Sequence, residues 1–170
     1  MARTIYGAEL FQSPKNEVNA NYVALGKNSE VFANYDIVSI SGATGAETLG
    51  VAAATSVVVG VIVKGATMTS TNQTVAKVVP GYITAEEGNL FLMGTNSDLT
   101  DTLTDYGKYY KLSGATGAQV VDVSSGVQTT TNRVVQVIKV DPFNEGGTGS
   151  GSGLRQVIIR FVKTPVLNPR

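Results

Sequence analysis

The chain contains no cysteine, no histidine and no tryptophan. Without cysteine there is neither a disulfide framework nor a thiolate metal site. Without histidine or cysteine there is no imidazole base for a hydroxyl nucleophile and no thiol nucleophile. No Ser-x-x-Lys spacing offers a lysine base instead. Charge is also scarce. Only 15% of residues carry one, against ~25% in an average soluble protein. Thirteen basic residues balance thirteen acidic ones. A neutral chain is a poor general nucleic-acid binder, which needs a basic face to displace counterions. Neutrality also favours association. The longest apolar stretch, Val51 to Val63, is broken by Thr55, Ser56 and Gly60 and is shorter than the ~20 residues of a membrane helix. Met1 to Tyr6 lacks the continuous apolar core of a secretory leader. These absences predict a non-enzymatic chain with no metal, no cofactor, no membrane partner and no nucleic acid.

What is present is a β pattern: 42% hydrophobic residues and nineteen glycines, with many Val and Thr. The stretch Tyr106 to Val140 shows it most clearly. Runs rich in Val, Ile and Tyr (Lys108-Tyr-Tyr-Lys-Leu112, Gln119-Val-Val-Asp-Val123 and Arg133 to Val140) are separated by Gly/Ser/Thr clusters. β-branched and aromatic residues suit a pleated, half-buried surface. The spacing predicts three antiparallel strands in a meander.

The same arrangement occurs earlier. Ser41-Gly-Ala-Thr-Gly-Ala46 is identical to Ser113-Gly-Ala-Thr-Gly-Ala118, and each follows a strand-like run, Asp36 to Ile40 and Lys108 to Leu112. Val58-Val-Gly-Val-Ile62 then mirrors Val134-Val-Gln-Val-Ile138, with extra loop residues expected in the second copy near Thr129–Asn132. A duplicated β unit follows from the repeat. Convergent turn chemistry is the plainer alternative, since Gly, Ser and Thr populate many hairpins.

Further strands are expected at 48–53, 57–64, 74–79, 89–93 and 155–163. Residues 1–35 differ in character. They carry Asn16, Asn19, Asn21, Asn28 and Asn34, Pro14 and sparse apolar residues. They read as an N-terminal docking arm or, alternatively, a first strand layer. The division expected is an arm over 1–35, a β domain over 36–163 and a tail over 164–170. Ile5, Tyr6, Leu10, Phe11 and Tyr22 are the large apolar residues of the arm and the docking candidates.

Other motifs are weak. Asp98, Asp101 and Asp105 lack the spacing of a calcium loop and suit a solvated loop. Gly146 to Gly153 leads into a strand, not a helix, which suits a surface loop rather than a phosphate cradle. Tyr106, Tyr109 and Tyr110 suit strand positions more than a sugar-stacking face.

The order of elements resembles a known family. Asp36-Ile-Val-Ser-Ile leads to Val59-Gly-Val-Ile-Val-Lys-Gly65, then to Tyr106-Gly-Lys-Tyr-Tyr-Lys-Leu112, and finally to Val135-Gln-Val-Ile138 and Gln156-Val-Ile-Ile-Arg-Phe161. This is similar to small head-decoration proteins of tailed bacteriophages, the capsid cement or head-fibre kind, over roughly residues 35–163. The resemblance implies an all-β fold, a compact β-barrel or β-tulip. It also implies a homo-oligomer, with a trimer favoured, on the outer surface of a virion, where it would bind the major capsid protein and stabilise the shell. A receptor- or glycan-binding module of a head or tail fibre, or a tail-tube or baseplate subunit, is the alternative.

Overall fold

Alternation of apolar and polar side chains gives strands one buried face, and the glycines and serines between them set where the chain turns. The computed structural model describes residues 6–13, 22–23, 29–41, 48–68, 81–85, 88–97, 99, 105–140 and 156–164. In chain order the strands are β1 (Ala8–Gln12), β2 (Tyr22–Val23), β3 (Val31–Phe32), β4 (Ile37–Ser41), β5 (Thr48–Val51), β6 (Val58–Ile62) and β7 (Ala66–Thr67). They continue as β8 (Gly81–Thr84), β9 (Leu90–Gly94), β10 (Tyr109–Ser113), β11 (Val120–Asp122), β12 (Val135–Val140) and β13 (Gln156–Phe161). Among the described residues the only helical element is a 3-10 turn at Thr130–Asn132. The fold is all-β. The strand expected at 74–79, the glycine run 146–153 and the first copy of the repeated hexapeptide beyond Ser41 lie outside the described residues.

The strands form a six-stranded sheet in the order β1-β9-β13-β12-β10-β11, a five-stranded sheet in the order β2-β8-β6-β4-β5, and a two-stranded ribbon of β3 and β7. Among the described residues every strand pairing is antiparallel. Set β1 aside and the two sheets have the same connectivity. The strands β2, β4, β5, β6 and β8 occupy the places taken by β9, β10, β11, β12 and β13. The register agrees too. Ser41 pairs with Thr48 and Ser113 with Val120, so 113 − 41 and 120 − 48 are both 72.

Neither unit is the meander predicted from the spacing. In a meander the second strand would lie in the middle. Here the first strand does, β4 between β5 and β6, and β10 between β11 and β12. The chain leaves β11 on the outside and crosses past β10 to β12. The extra residues near Thr129–Asn132 lie in this crossing, as the 3-10 turn. One detail of the sequence match shifts. Gly60 pairs with Val38 and Val58 with Ser39, which leaves Val59 as a bulge opposite no residue. Past that bulge Val61 faces Ile37 as Gln136 faces Tyr109. Val61 therefore corresponds to Gln136, one position off the sequence alignment.

The main core lies between the sheets. Ile37, Val58 and Val61 of the five-stranded sheet share a buried cluster with Phe91, Tyr110 and Ile159 of the six-stranded one. Phe91 and Phe161 meet there with their rings tilted by 59° and their centroids 5.1 Å apart. A second cluster lies on the far side of the five-stranded sheet, where Phe32 and Met68 cover Val38, Leu49 and Ile62. The five-stranded sheet is thus buried on both faces. The two ends of the six-stranded sheet are linked among the described residues by one isolated parallel bridge, Thr95 to Val121, and by the N–H groups of Asn96 and Gly7, which donate to the carbonyls of Val121 and Gln119.

The segment 1–35 is not simply an arm. β1 pairs with β9 along the edge of the six-stranded sheet, and Ala8 is fully buried in the main core. β3 carries Phe32 into the second core. Of the two readings, a first strand layer fits these described residues. At the other end Thr164 is buried, and 165–170 lies outside the described residues.

Candidate interaction surface

Three stretches converge beside the start of β1. Gly7 donates its N–H to the Gln119 carbonyl at 2.8 Å, and Ala8 donates to the Tyr35 carbonyl at 2.9 Å. Gly117 donates to Asp36 Oδ1 at 2.7 Å, and Ala33 donates to Asp36 Oδ2 at 2.8 Å. The N-terminal strand, the Asn34–Asp36 turn and the loop 114–118 are therefore one hydrogen-bonded unit. Gly7 has φ of +76°, and a Cβ there would lie 2.3 Å from the Tyr35 carbonyl oxygen. Gly114 has φ of +91°, and a Cβ there would lie 2.0 Å from the Ala118 carbonyl oxygen. Only glycine fits either place.

Gln119 anchors this unit from within. It is fully buried. Its Oε1 accepts the Ile37 N–H at 2.6 Å, and its Nε2 donates to the carbonyls of Ile37 at 3.2 Å and Ala52 at 2.9 Å. One side chain from the second repeat thus satisfies backbone groups of the first. Burial raises the pKa of Asp36, and Glu30 adds to that shift, while the N–H groups of Ala33 and Gly117 hold it down.

Above these buried groups sit exposed aromatic rings. Tyr6 is 49% exposed, Phe11 54% and Tyr35 39%. Tyr35 holds a left-handed φ of 68°, an uncommon conformation for a bulky residue. It is held there by its N–H bond to the Ile62 carbonyl and by the bond from Ala8. Phe11 is pushed outward by a bulge. Leu10 pairs with Phe91 and Gln12 with Leu90, so Phe11 faces no partner residue. No described strand pairs with the outer edge of β1 beyond the bonds that Gly7 and Ala8 make to Gln119 and Tyr35, and an edge of this kind can accept an added strand.

The docking candidates fare unequally. Tyr6 and Phe11 are exposed on this surface. Leu10 is half-buried and packs against the main core. Tyr22 pairs through its backbone with Tyr82 at the edge of the other sheet. Ile5 lies outside the described residues. Sequence reasoning missed Tyr35, although Asn34 and Asp36 on either side of it are turn residues. It missed Gln119 entirely, because a glutamine after a turn carries no sign of burial.

The expected acidic loop divides. Asp98 and Asp101 lie outside the described residues. Asp105 is buried and accepts the Tyr110 hydroxyl at 3.2 Å, with Lys108 Nζ at 3.4 Å from the same oxygen. Burial, followed by the charge and hydrogen bond of Asp105, pushes the Tyr110 phenol up to about 12. Asp122 forms a second polar knot. It accepts bonds from Asn96 Nδ2 at 2.7 Å, Ser124 Oγ at 2.9 Å and Ser125 Oγ at 2.6 Å, with Lys111 Nζ at 3.6 Å. Burial pushes its pKa up, but the bonds from Ser125, Asn96 and Ser124 outweigh that and hold it at about 2. No group of three metal-ligating side chains occurs among the described residues.

Comparison with protein-family models, with curated proteins and with solved structures finds no match for this chain.

Proposed function

We propose that this chain is a structural protein of a bacteriophage virion, a decoration protein that binds the outside of the capsid where major capsid subunits meet. The observation that carries the reading is the exposure of three aromatic residues, Tyr6, Phe11 and Tyr35, on and beside the edge strand β1. Large rings on a rigid β scaffold serve adhesion, since fully burying one is worth roughly 1.5–3 kcal/mol. The absence of histidine and cysteine from the sequence also favours adhesion over catalysis. The resemblance in element order points to the same class.

The mechanism is mass action. A protein that binds only the expanded arrangement of capsid subunits stabilises that arrangement. Repetition over a symmetric shell turns weak contacts into multivalent ones. A trimer on a local symmetry axis would engage three equivalent subunits and bury the edges each monomer exposes.

The test is to add the purified chain to undecorated heads. Saturable binding at a fixed copy number, with a raised disruption temperature of the heads, supports the proposal. Tyr6→Ala and Phe11→Ala should each weaken occupancy. Failure to bind heads, with retained affinity for host surface or sugar, would move the chain to the fibre-type receptor modules.

A further inference from the structure

The two sheets are stacked in the same orientation, front to back. Val38 and Ile40 of the five-stranded sheet face the β3–β7 ribbon. Their counterparts 72 positions on, Tyr110 and Leu112, face the main core instead. It follows that the counterparts of Ile37 and Val61, which the first unit buries against the second, lie on the outer face of the six-stranded sheet. Those counterparts are Tyr109 and Gln136. A third layer would sit there if the stack continued.

That outer face is cationic. Tyr109, Gln136 and Arg160 form one row across β10, β12 and β13. The Arg133 guanidinium stacks over the Tyr109 ring, 4.5 Å from its centroid. Gln136 is locked from both sides. Its Nε2 donates to the Gly107 carbonyl at 2.9 Å, and its Oε1 accepts Arg160 Nε at 2.7 Å. Arg160 is thereby aimed through Nε, and among the described residues its two terminal nitrogens have no partner. Lys139 is exposed beside Ile158, with which it pairs across the strands. Among the described residues no carboxylate pairs with Arg133, Lys139 or Arg160. Two acids share this face: Asp122, already engaged by Lys111, Asn96, Ser124 and Ser125, and Glu9, itself engaged, which lies across Leu92 and Ile158 from Lys139.

We infer that the outer face of β10, β12 and β13 is a docking surface for an acidic protein surface. A positioned guanidinium matches a carboxylate through two parallel hydrogen bonds. Arg and Tyr are the residues that concentrate binding energy at protein interfaces. Half-buried Leu90, Leu92 and Ile138 adjoin the row. Such apolar contact is of use to a protein partner and of none to a phosphate backbone. The inference does not depend on the virion reading, and it rests on residues other than Tyr6 and Phe11.

The test is a titration of the full-length ¹⁵N-labelled chain at low salt with poly-L-glutamate, duplex DNA and heparin, each at equal charge concentration. Poly-L-glutamate should bind saturably, shift the amides around Tyr109, Gln136 and Arg160, and weaken as salt rises. Arg133→Ala and Arg160→Ala should each reduce affinity about tenfold, as the loss of a hydrogen bond to a charged group does. Arg160→Lys keeps the charge, removes the planar fork and should lose an intermediate amount. If the alanine variants unfold, the wild-type shift map and the lysine variant decide. No saturable shift on this face, or tighter binding of DNA or heparin through the same residues, overturns the inference.

Discussion

The two halves of this molecule share one connectivity and differ in what covers them. The first unit, β2 with β4 to β6 and β8, is buried on both faces. The ribbon packs on one side, through Phe32 and Met68, and the second unit packs on the other. The second unit, β9 to β13, is buried on one face and turns Tyr109, Gln136 and Arg160 outward on the other. The same strand order therefore tolerates Ile37 and Val61 in one copy and a tyrosine and a glutamine in the other. Position in the stack, not position in the repeat, sets the polarity of a face. Terminal repeats of stacked proteins follow the same rule, since an outer face must be soluble.

The largest expected effect breaks the link between the halves. Gln119→Leu removes three hydrogen bonds and strands the Ile37 N–H and the Ala52 carbonyl in the core, while the Ile37 carbonyl keeps the Ala52 N–H at 2.8 Å. Each stranded group costs ~1–3 kcal/mol. A loss of roughly 2–6 kcal/mol is expected in chemical denaturation. A loss below about 1 kcal/mol would mean that the halves are held by apolar packing alone.

Next comes the comparison of matched core residues. Leu112 is fully buried in the shared core, whereas its counterpart Ile40 is only half-buried against the ribbon-side cluster. Leu112→Ala should cost roughly 2–5 kcal/mol and Ile40→Ala less than half of that. Equal losses would show that the two cores are equally tight.

Deleting residues 1–12 tests whether β1 belongs to the second unit. It removes Ala8 and Leu10 from the main core and bares the edge of β9. A loss of about 2–3 kcal/mol is expected, read as a lower melting temperature. An unchanged melting temperature would return the segment to the status of an arm.

A smaller effect concerns acid. The pKa of Asp122 is depressed to about 2, so its contribution is present in full above the unfolded carboxylate value of 3.8 and is lost as pH falls through about 2. Asp36 works in the opposite sense. Its pKa is raised, so its contribution is present below the unfolded value and declines as pH rises through the folded one. Asp122→Asn should flatten the acid limb of the stability curve, and Asp36→Asn should flatten the limb just above it. A pH profile unmoved by Asp122→Asn would show that the Asn96–Ser124–Ser125 knot does not depend on charge.

The smallest effect on the fold belongs to the exposed rings. Tyr6→Ala and Phe11→Ala should change stability by no more than about 0.5 kcal/mol, because both side chains are about half exposed.

Periodicity and turn chemistry alone determined that the chain is all-β, where most of its strands run and that it contains a repeated unit. Val, Ile and Tyr alternating between Gly/Ser clusters report local pleating, and the register of the two matching hairpins is set by a loop of fixed length. Tertiary structure decided the rest. Which strand lies in the middle depends on a crossing that leaves no local trace, so a meander was expected where β4 and β10 are central. Whether Gln119 points into water or into the core depends on Ile37 and Ala52, which are 82 and 67 residues away in sequence. Residues 1–35 read as an arm because their apolar residues are sparse, yet Ala8 and Leu10 join the main core and Phe32 the second one. Ile37 and Tyr109 hold the same place in the repeat, and only the stacking of one sheet on another makes one a core residue and the other part of an open face.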